Sequence, residues 1–216
     1  MRSEHVDEYN HDNLAKNYDR QVQTDDPIRE GYDQTLDWVI ANAGIEASSR
    51  VLELGSGTGN LTQRIQACGS LVCVDISTKM EAKGTNKVAH LPNREFVVSD
   101  VLEYVLNTDK HFDAIISTYT LHHLTEEEKM PFLEAIARRL EPNGIFVVGD
   151  LMTESVQGES DTVDYYRSIG DNDTADDIEE EFFWYVDSAV AKLRELKMHV
   201  ETERFSRLSW GIKGQS

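Results

Sequence analysis

The chain has 216 residues, 40 of them Asp or Glu and 21 Lys or Arg, for a formal charge of −19 at pH 7 with histidine neutral. That length suits one domain whose core needs no disulfide or structural metal. The charge repels phosphate backbones and anionic lipid surfaces, and no apolar run approaches the ~18 residues of a membrane span, so nucleic-acid and membrane partners are disfavoured.

In chain order, the first patterned piece is Leu14-Ala15-Lys16-Asn17-Tyr18-Asp19. Asp26-Pro27 predicts a helix start, with Ile28, Tyr32, Leu36, Val39, Ile40 and Ala43 on its packing face. Five buried, mostly parallel strands are expected over residues 50–54, 70–75, 94–98, 112–117 and 144–150. Helical patterns separate them, which predicts an α/β sheet rather than segregated layers. The first intervening helix is placed from Asn60, with Leu61 and Ile65 on one face, and ends at Gly69. Ser77 caps the second. Thr125-Glu126-Glu127-Glu128 reads as a capping box whose helix must bend or restart at Pro131 before presenting Phe132, Leu133, Ile136 and Leu140. Pro142-Asn143-Gly144 turns the chain into the fifth strand. Residues 161–183 read as helical and acidic, Asp187 as the cap of a helix carrying Val190, Leu193 and Leu196, and residues 198–205 and 207–213 as a closing hairpin. The acidic run over 171–181 is a solvated surface by its pattern, and a salt-adapted source would also explain the total charge. Cys68 and Cys73 lack metal-ligand spacing and read as small buried side chains in a reducing compartment. Met1-Arg2-Ser3-Glu4-His5 does not open a signal peptide, so a cytoplasmic location is the expectation.

Chemistry concentrates in Val51-Leu52-Glu53-Leu54-Gly55-Ser56-Gly57-Thr58-Gly59. A strand running into glycines and then a helix start lets backbone groups approach a ligand with no Cβ in the way. Two readings compete, a dinucleotide site and an S-adenosylmethionine site. The dinucleotide fingerprint wants a third small residue where Asn60 stands, and the extra glycine falls one position early. Asp75 ends the second strand 20 residues after Gly55, where a carboxylate accepts hydrogen bonds from ribose hydroxyls in either ligand. Asp100 ends the third strand in the same way and suits an adenine amino donor. Seen alone, Asp75 could cap the next helix and Asp100 could begin a turn.

The Glu53-x-Gly55-x-Gly57-x-Gly59 pattern, the Leu14–Asp19 piece, and Ser117-Thr118-Tyr119-Thr120-Leu121-His122-His123-Leu124-Thr125 together resemble the class I S-adenosylmethionine-dependent methyltransferases, most nearly the bacterial YrrT-type small methyltransferases. The resemblance covers the whole chain and weakens after Asp150. It implies a Rossmann-like fold, with a seven-stranded mostly parallel sheet, an antiparallel C-terminal strand and helices on both faces. It implies one domain over 1–216, comprising a helical cap over 1–45, a cofactor-binding core over 46–150, and acceptor-side helices with the hairpin over 151–216. Carried over by position, Gly55, Asp75 and Asp100 would be the principal cofactor contacts, Glu53, Gly57, Gly59 and Thr118 secondary ones, and Tyr18 would cover the methionine end. The activity implied is methyl transfer from S-adenosylmethionine to a small-molecule acceptor, without a metal. The alternatives are a non-catalytic S-adenosylmethionine-binding protein and an NAD(P)-dependent oxidoreductase, the latter lacking a Tyr-x-x-x-Lys relay. A tRNA-modifying enzyme is a further reading, weakened by the charge.

By open-sheet logic the site lies beyond the carboxyl ends of the strands, which gathers Thr118–His123, Asp150 and Tyr18 around one crevice. His122 is the first candidate for base or acceptor-positioning group and His123 the second, since histidine titrates near working pH. Either could instead cap a helix or pack in the interior. Tyr119 could orient an acceptor or fill the core. Tyr165, Tyr166, Phe182, Phe183, Trp184 and Tyr185 could form a lid, although such spacing also suits a core. His5, His11, His90, His111 and His199 show no metal-ligand spacing. The acceptor, the acceptor atom and the choice between monomer and homodimer are not legible in the residues.

Overall fold

The structure is a computed structural model that describes residues 1–6, 18–21, 26–91 and 93–216. The sheet is built from β1 (Arg50–Leu54), β2 (Ser70–Asp75), β3 (Arg94–Val98), β4 (Phe112–Thr118), β5 (Leu140–Thr153), β7 (His199–Arg204) and β8 (Ser209–Gln215), in the order β3-β2-β1-β4-β5-β8-β7. A two-residue strand, β6 (Trp184–Tyr185), pairs with the end of β5. Register is set centrally: Val51 of β1 lies opposite Leu71 of β2 on one side and Ala114 of β4 on the other. Only β8 runs against its neighbours, pairing antiparallel with both β5 and β7. This is the mostly parallel, seven-strand topology expected, with β6 in addition.

The period of two along each strand builds two cores. Leu52 and Leu54 join Ile115, Phe132, Phe146 and Trp184 on one face. Val51 joins Leu36, Val39, Ile116, Val147 and Leu151 on the other. Each fully buried side chain of this kind stabilises the fold by ~1.5–3 kcal/mol relative to exposure. The edges are protected differently from the centre: β7 exposes His199, Glu201, Glu203 and Arg204, charged or polar groups that discourage pairing with another chain.

The helices are α1 (Tyr18–Gln21), α2 (Tyr32–Asn42), α3 (Thr78–Lys87), α4 (Val101–Asn107), α5 (Glu126–Arg139), α6 (Val156–Ser168), α7 (Asn172–Glu180) and α8 (Val186–Glu195). Several differ from the sequence expectation. Asp26 caps a single 3-10 turn over Pro27–Arg29, and Gly31 at φ 81° interrupts the chain before α2 begins, leaving Ile28 outside that helix. After Asn60 there is no α-helix, only a 3-10 turn over Thr62–Arg64. The ten residues 60–69 would span only ~15 Å as α-helix, less than the ~20 Å length of a six-residue strand that they must run back along. The segment therefore extends from Ile65. α5 runs through Pro131 without restarting, and the Glu127 carbonyl forgoes the amide donor that proline lacks. The turn at Asn143, φ 66°, lies inside β5 as an irregularity rather than before it. The acidic stretch is two helices, α6 and α7, and Tyr185 rather than Asp187 occupies the cap of α8. Ser77 and the Thr125–Glu128 capping box stand as predicted. Among the described residues no helix is long and apolar enough to cross a membrane.

Candidate functional site

The glycine loop leaves β1 in a left-handed path: Gly55, Gly57 and Gly59 have φ of 71°, 50° and 80°. Each glycine is needed for a different reason. A Cβ on Gly55 would lie 1.9 Å from the Thr120 hydroxyl, and one on Gly59 would press on Gly84 of α3 at 3.1 Å. A Cβ on Gly57 would meet nothing within 4 Å, because that position faces the cleft. Four of the loop amides are bonded within the protein, contrary to what the pattern suggests. Gly55 and Ser56 donate to the Val74 carbonyl at 2.8 and 3.2 Å, Gly59 donates to Ser56 at 2.9 Å, and Gly57 donates to an Asp75 carboxylate oxygen at 2.7 Å. With these four donors spent inside the protein, the loop is a poorer cradle for an anion than its pattern promises. Asn60 is not a failed glycine: its amide donates to the Tyr32 hydroxyl at 3.2 Å and its carbonyl accepts from Lys87 at 2.6 Å.

Asp75 braces the loop from β2. Its second oxygen accepts from the Ser77 amide at 2.8 Å, so both oxygens are anchored while the side chain keeps a half-buried face on the cleft. Asp100 caps α4 through the Glu103 amide at 2.7 Å and is 3 % exposed. Ser3 also donates to it, through its amide and its hydroxyl at 3.2 and 2.5 Å. The Glu4 amide donates to Glu128 at 2.7 Å, and Val6 is buried, so residues 3–6 lie across the cleft as a strap. The free volume beneath is about 100 Å³, lined also by Ile76, Met80, Val101 and Thr118. The strap carries no motif, and nothing in the chain's periodicity points to it.

Asp19 of α1 accepts from Thr58 of the loop at 2.5 Å and from Lys87 at 2.9 Å; burial would raise its pKa, but these bonds hold it below the usual carboxylate range. That tether sets α1 beside the glycines. Residues 14–17 and the Tyr18 side chain lie outside the described residues. Glu53, fully buried in β1, stands apart from the cleft lining. Burial, with Asp75 nearby, pushes its pKa up to about 8 against the opposing bonds from Thr62.

On the other side of the cleft, β4 ends in Thr118, and Tyr119 after it is held at φ 48°, an unusual conformation for a bulky residue. The Tyr119 hydroxyl is fixed by Thr35 and Ser209 at 3.3 and 3.0 Å. Asp150, with no exposure, collects four donors: the amides of Thr120, Leu121 and Leu151 and Nδ1 of His122 at 2.5 Å. Burial alone would raise its pKa; the His122 charge and the amides overcome that and lower it. The two histidines thereby separate. His122 is 5 % exposed and locked beneath the surface, whereas His123 lines the cleft with Nδ1 at 3.3 Å from Glu181. Glu181 is placed by Lys129, which is 1 % exposed and donates to the carbonyls of Phe182 and Phe183 at 2.7 and 2.9 Å. His122, His123 and Glu181 bring one potential ligand atom each within 4.8 Å, the geometry of a small cluster that no spacing in the sequence reveals. Of the expected aromatic lid, Phe183 and Trp184 are core, Tyr166 is buried, and Tyr165 is 40 % exposed.

Residues 51–144 match the family described as "Methyltransferase domain". The chain is 31% identical over 189 residues to "Uncharacterized methyltransferase OB1106" of Oceanobacillus iheyensis, covering 87% of this chain and 85% of that one. It is 32% identical over 179 residues to "Uncharacterized methyltransferase YrrT" of Bacillus subtilis, covering 81% of each. Among solved structures, the magnesium protoporphyrin IX methyltransferase ChlM of Synechocystis PCC 6803 with bound S-adenosylhomocysteine superposes with a TM-score of 0.70, at 17% identity over 95% of both chains.

Proposed function

Since the chain belongs to the methyltransferase family of these relatives, we propose that it transfers the methyl group of S-adenosylmethionine, by in-line displacement, to a small-molecule acceptor. The observation that carries this reading is one cleft at the carboxyl ends of β1 to β4, lined at once by Gly55, Gly57, Asp75, Asp100 and Thr118. The open Cβ position of Gly57 is the cradle such a ligand requires.

In this reading Asp75 receives the ribose hydroxyls and Asp100 the adenine amino group once Ser3 has moved. The loop oxygens of Gly55 and Gly57 face the charged methionine end, with Thr118 beside it and Tyr18 closing over it. Glu53 and Gly59 act indirectly, Glu53 by fixing the loop from below and Gly59 by letting α3 approach. When bound, the cofactor supplies a methyl group already activated on a cationic sulfur, so no metal or covalent nucleophile is required. The chain's task is alignment, which can remove ~7–11 kcal/mol of barrier in favourable cases. A proton on the acceptor passes to His123, which faces the cleft and is oriented by Glu181. His122 holds the loop through Asp150. A base in that position adds ~100- to 10,000-fold.

The test is calorimetry with S-adenosylhomocysteine and NADH side by side, followed by tritiated-methyl transfer onto small-molecule extract. Binding of the homocysteine compound and label in a product are expected. Tight NADH binding alone would return the oxidoreductase reading, and binding without label would favour a non-catalytic role.

A further inference from the structure

The acceptor's chemistry is written in a second groove, across Tyr119 from the cofactor cleft. It measures about 910 Å³ and is lined by Arg29, Arg204 and Arg207 with Tyr165, Tyr166 and Ile169. Elsewhere in this acidic chain, three arginines each find two carboxylates. Arg50 meets Asp113 and Glu141, Arg64 meets Asp33 and Asp37, and Arg167 meets Asp176 and Glu179. The three groove arginines do not. Among the described residues none of them makes an ion pair; their contacts are aromatic faces instead. Arg207 lies 3.7 Å from the centre of the Tyr165 ring, Arg204 5.0 Å from Trp210, and Arg29 5.8 Å from Tyr119. One further bond, Arg204 Nε to the Ser206 carbonyl at 2.8 Å, leaves its terminal nitrogens available.

Three acids also line the groove, and two are engaged elsewhere. Asp26 caps the turn at Ile28, and Asp171 caps α7 through the Thr174 amide and hydroxyl. Glu30 is exposed at the rim. A guanidinium stacked on a ring keeps its edge N–H donors free, in the fork that matches a carboxylate or phosphate. In a chain with 40 acidic residues, this groove gathers three arginines whose guanidinium groups are held by rings and not by its three acids. The groove and the cleft meet at Tyr119, which is among the residues lining the cleft and has Arg29 of the groove over its ring.

We propose that the methyl acceptor is a small anion, a carboxylate or phosphate on an apolar or aromatic body, and that Arg29, Arg204 and Arg207 hold its charged end while Tyr165 and Ile169 receive the body. This rests on the methyltransferase reading above and deepens it. The groove's arginines supply recognition and not chemistry, so their removal raises the concentration of acceptor needed without touching the cofactor.

The experiment is titration of the full chain, saturated with S-adenosylhomocysteine, with phenyl phosphate, benzoate and the neutral benzamide. Saturable binding of one or both anions, weakening with added salt, and much weaker binding of benzamide are expected. Arg207→Gln should weaken anion binding about tenfold or more, with S-adenosylhomocysteine affinity unchanged. Arg204→Gln, at an exposed position, repeats the test should the first variant fold poorly. No saturable anion binding, equal binding of benzamide, or anion binding indifferent to both substitutions would overturn the proposal. Failure of S-adenosylhomocysteine to bind in the preliminary titration would instead strike the methyltransferase reading itself.

Discussion

Ser3 donates both its amide and its hydroxyl to Asp100, the carboxylate at the end of β3. Ser3 thus occupies the acceptor that an adenine amino group would use, and the strap is anchored a second time by Glu4 on Glu128. A ligand reaching Asp100 must displace Ser3, and hydrogen bonds to a charged group are worth ~1.5–3 kcal/mol each. Ser3→Ala removes the hydroxyl bond from the unliganded state alone. S-adenosylhomocysteine should therefore bind more tightly to the variant in calorimetry, by about tenfold or more. Weaker binding would mean that the strap belongs to the liganded state and helps to close it.

Asp75→Ala should weaken S-adenosylhomocysteine binding by ~1.5–3 kcal/mol. Two losses combine there: the ribose acceptor and the brace on the Gly57 amide. The variant should keep its melting temperature within a few degrees, because Ser77 still caps α3. An unchanged dissociation constant would remove Asp75 from the site.

The sheet was legible because Leu71–Val74 is a continuous apolar run, and Val51–Leu54 is one but for Glu53, the signature of strands buried on both faces. That Gly55, Asp75 and Asp100 would line one cleft was legible because each sits at or just past a strand end, so local pattern fixes their place. The segment after Asn60 misled because its apolar spacing fits a helix, while the length of chain available does not. Glu181 and Ser3 were invisible for a different reason. Glu181 reaches His123 across 58 positions, and Ser3 reaches Asp100 across 97; no periodicity encodes such contacts. Aromatic residues 182–185 could be read as lid or core, and burial decides for Phe183 and Trp184.

Glu53 predicts a pH dependence of stability. Its folded pKa, about 8, lies above the ordinary value of 4.5, chiefly through burial. A carboxyl shifted upward holds the fold best while protonated. Its contribution is complete below the unfolded pKa and fades as pH rises through the folded one. Between about pH 5 and pH 8, Glu53 therefore subtracts progressively from stability. Glu53→Gln, neutral throughout, should lose less stability than the parent on going from pH 6 to pH 9, as read from urea midpoints. Parallel losses in the two proteins would show that Glu53 is ionised at both pH values.

The adjacent histidines should part company under mutation, although their rings lie only 4.0 Å apart. Asp150 is fully buried and gathers His122 with the amides of Thr120 and Leu121 in the turn after β4 and of Leu151 in β5. Asp150→Ala strands those donors without water, and breaking a buried pair by removing one partner costs ~3–5 kcal/mol. The loss should appear in denaturant midpoints. His123→Ala leaves that network whole and changes only the cleft wall. It should lower turnover in the tritiated-methyl assay by ~100-fold or more, with S-adenosylhomocysteine affinity and melting temperature close to those of the parent. Equal damage to stability from both substitutions would make His123 another anchor of the turn, and the proton would then have to leave the acceptor by way of water.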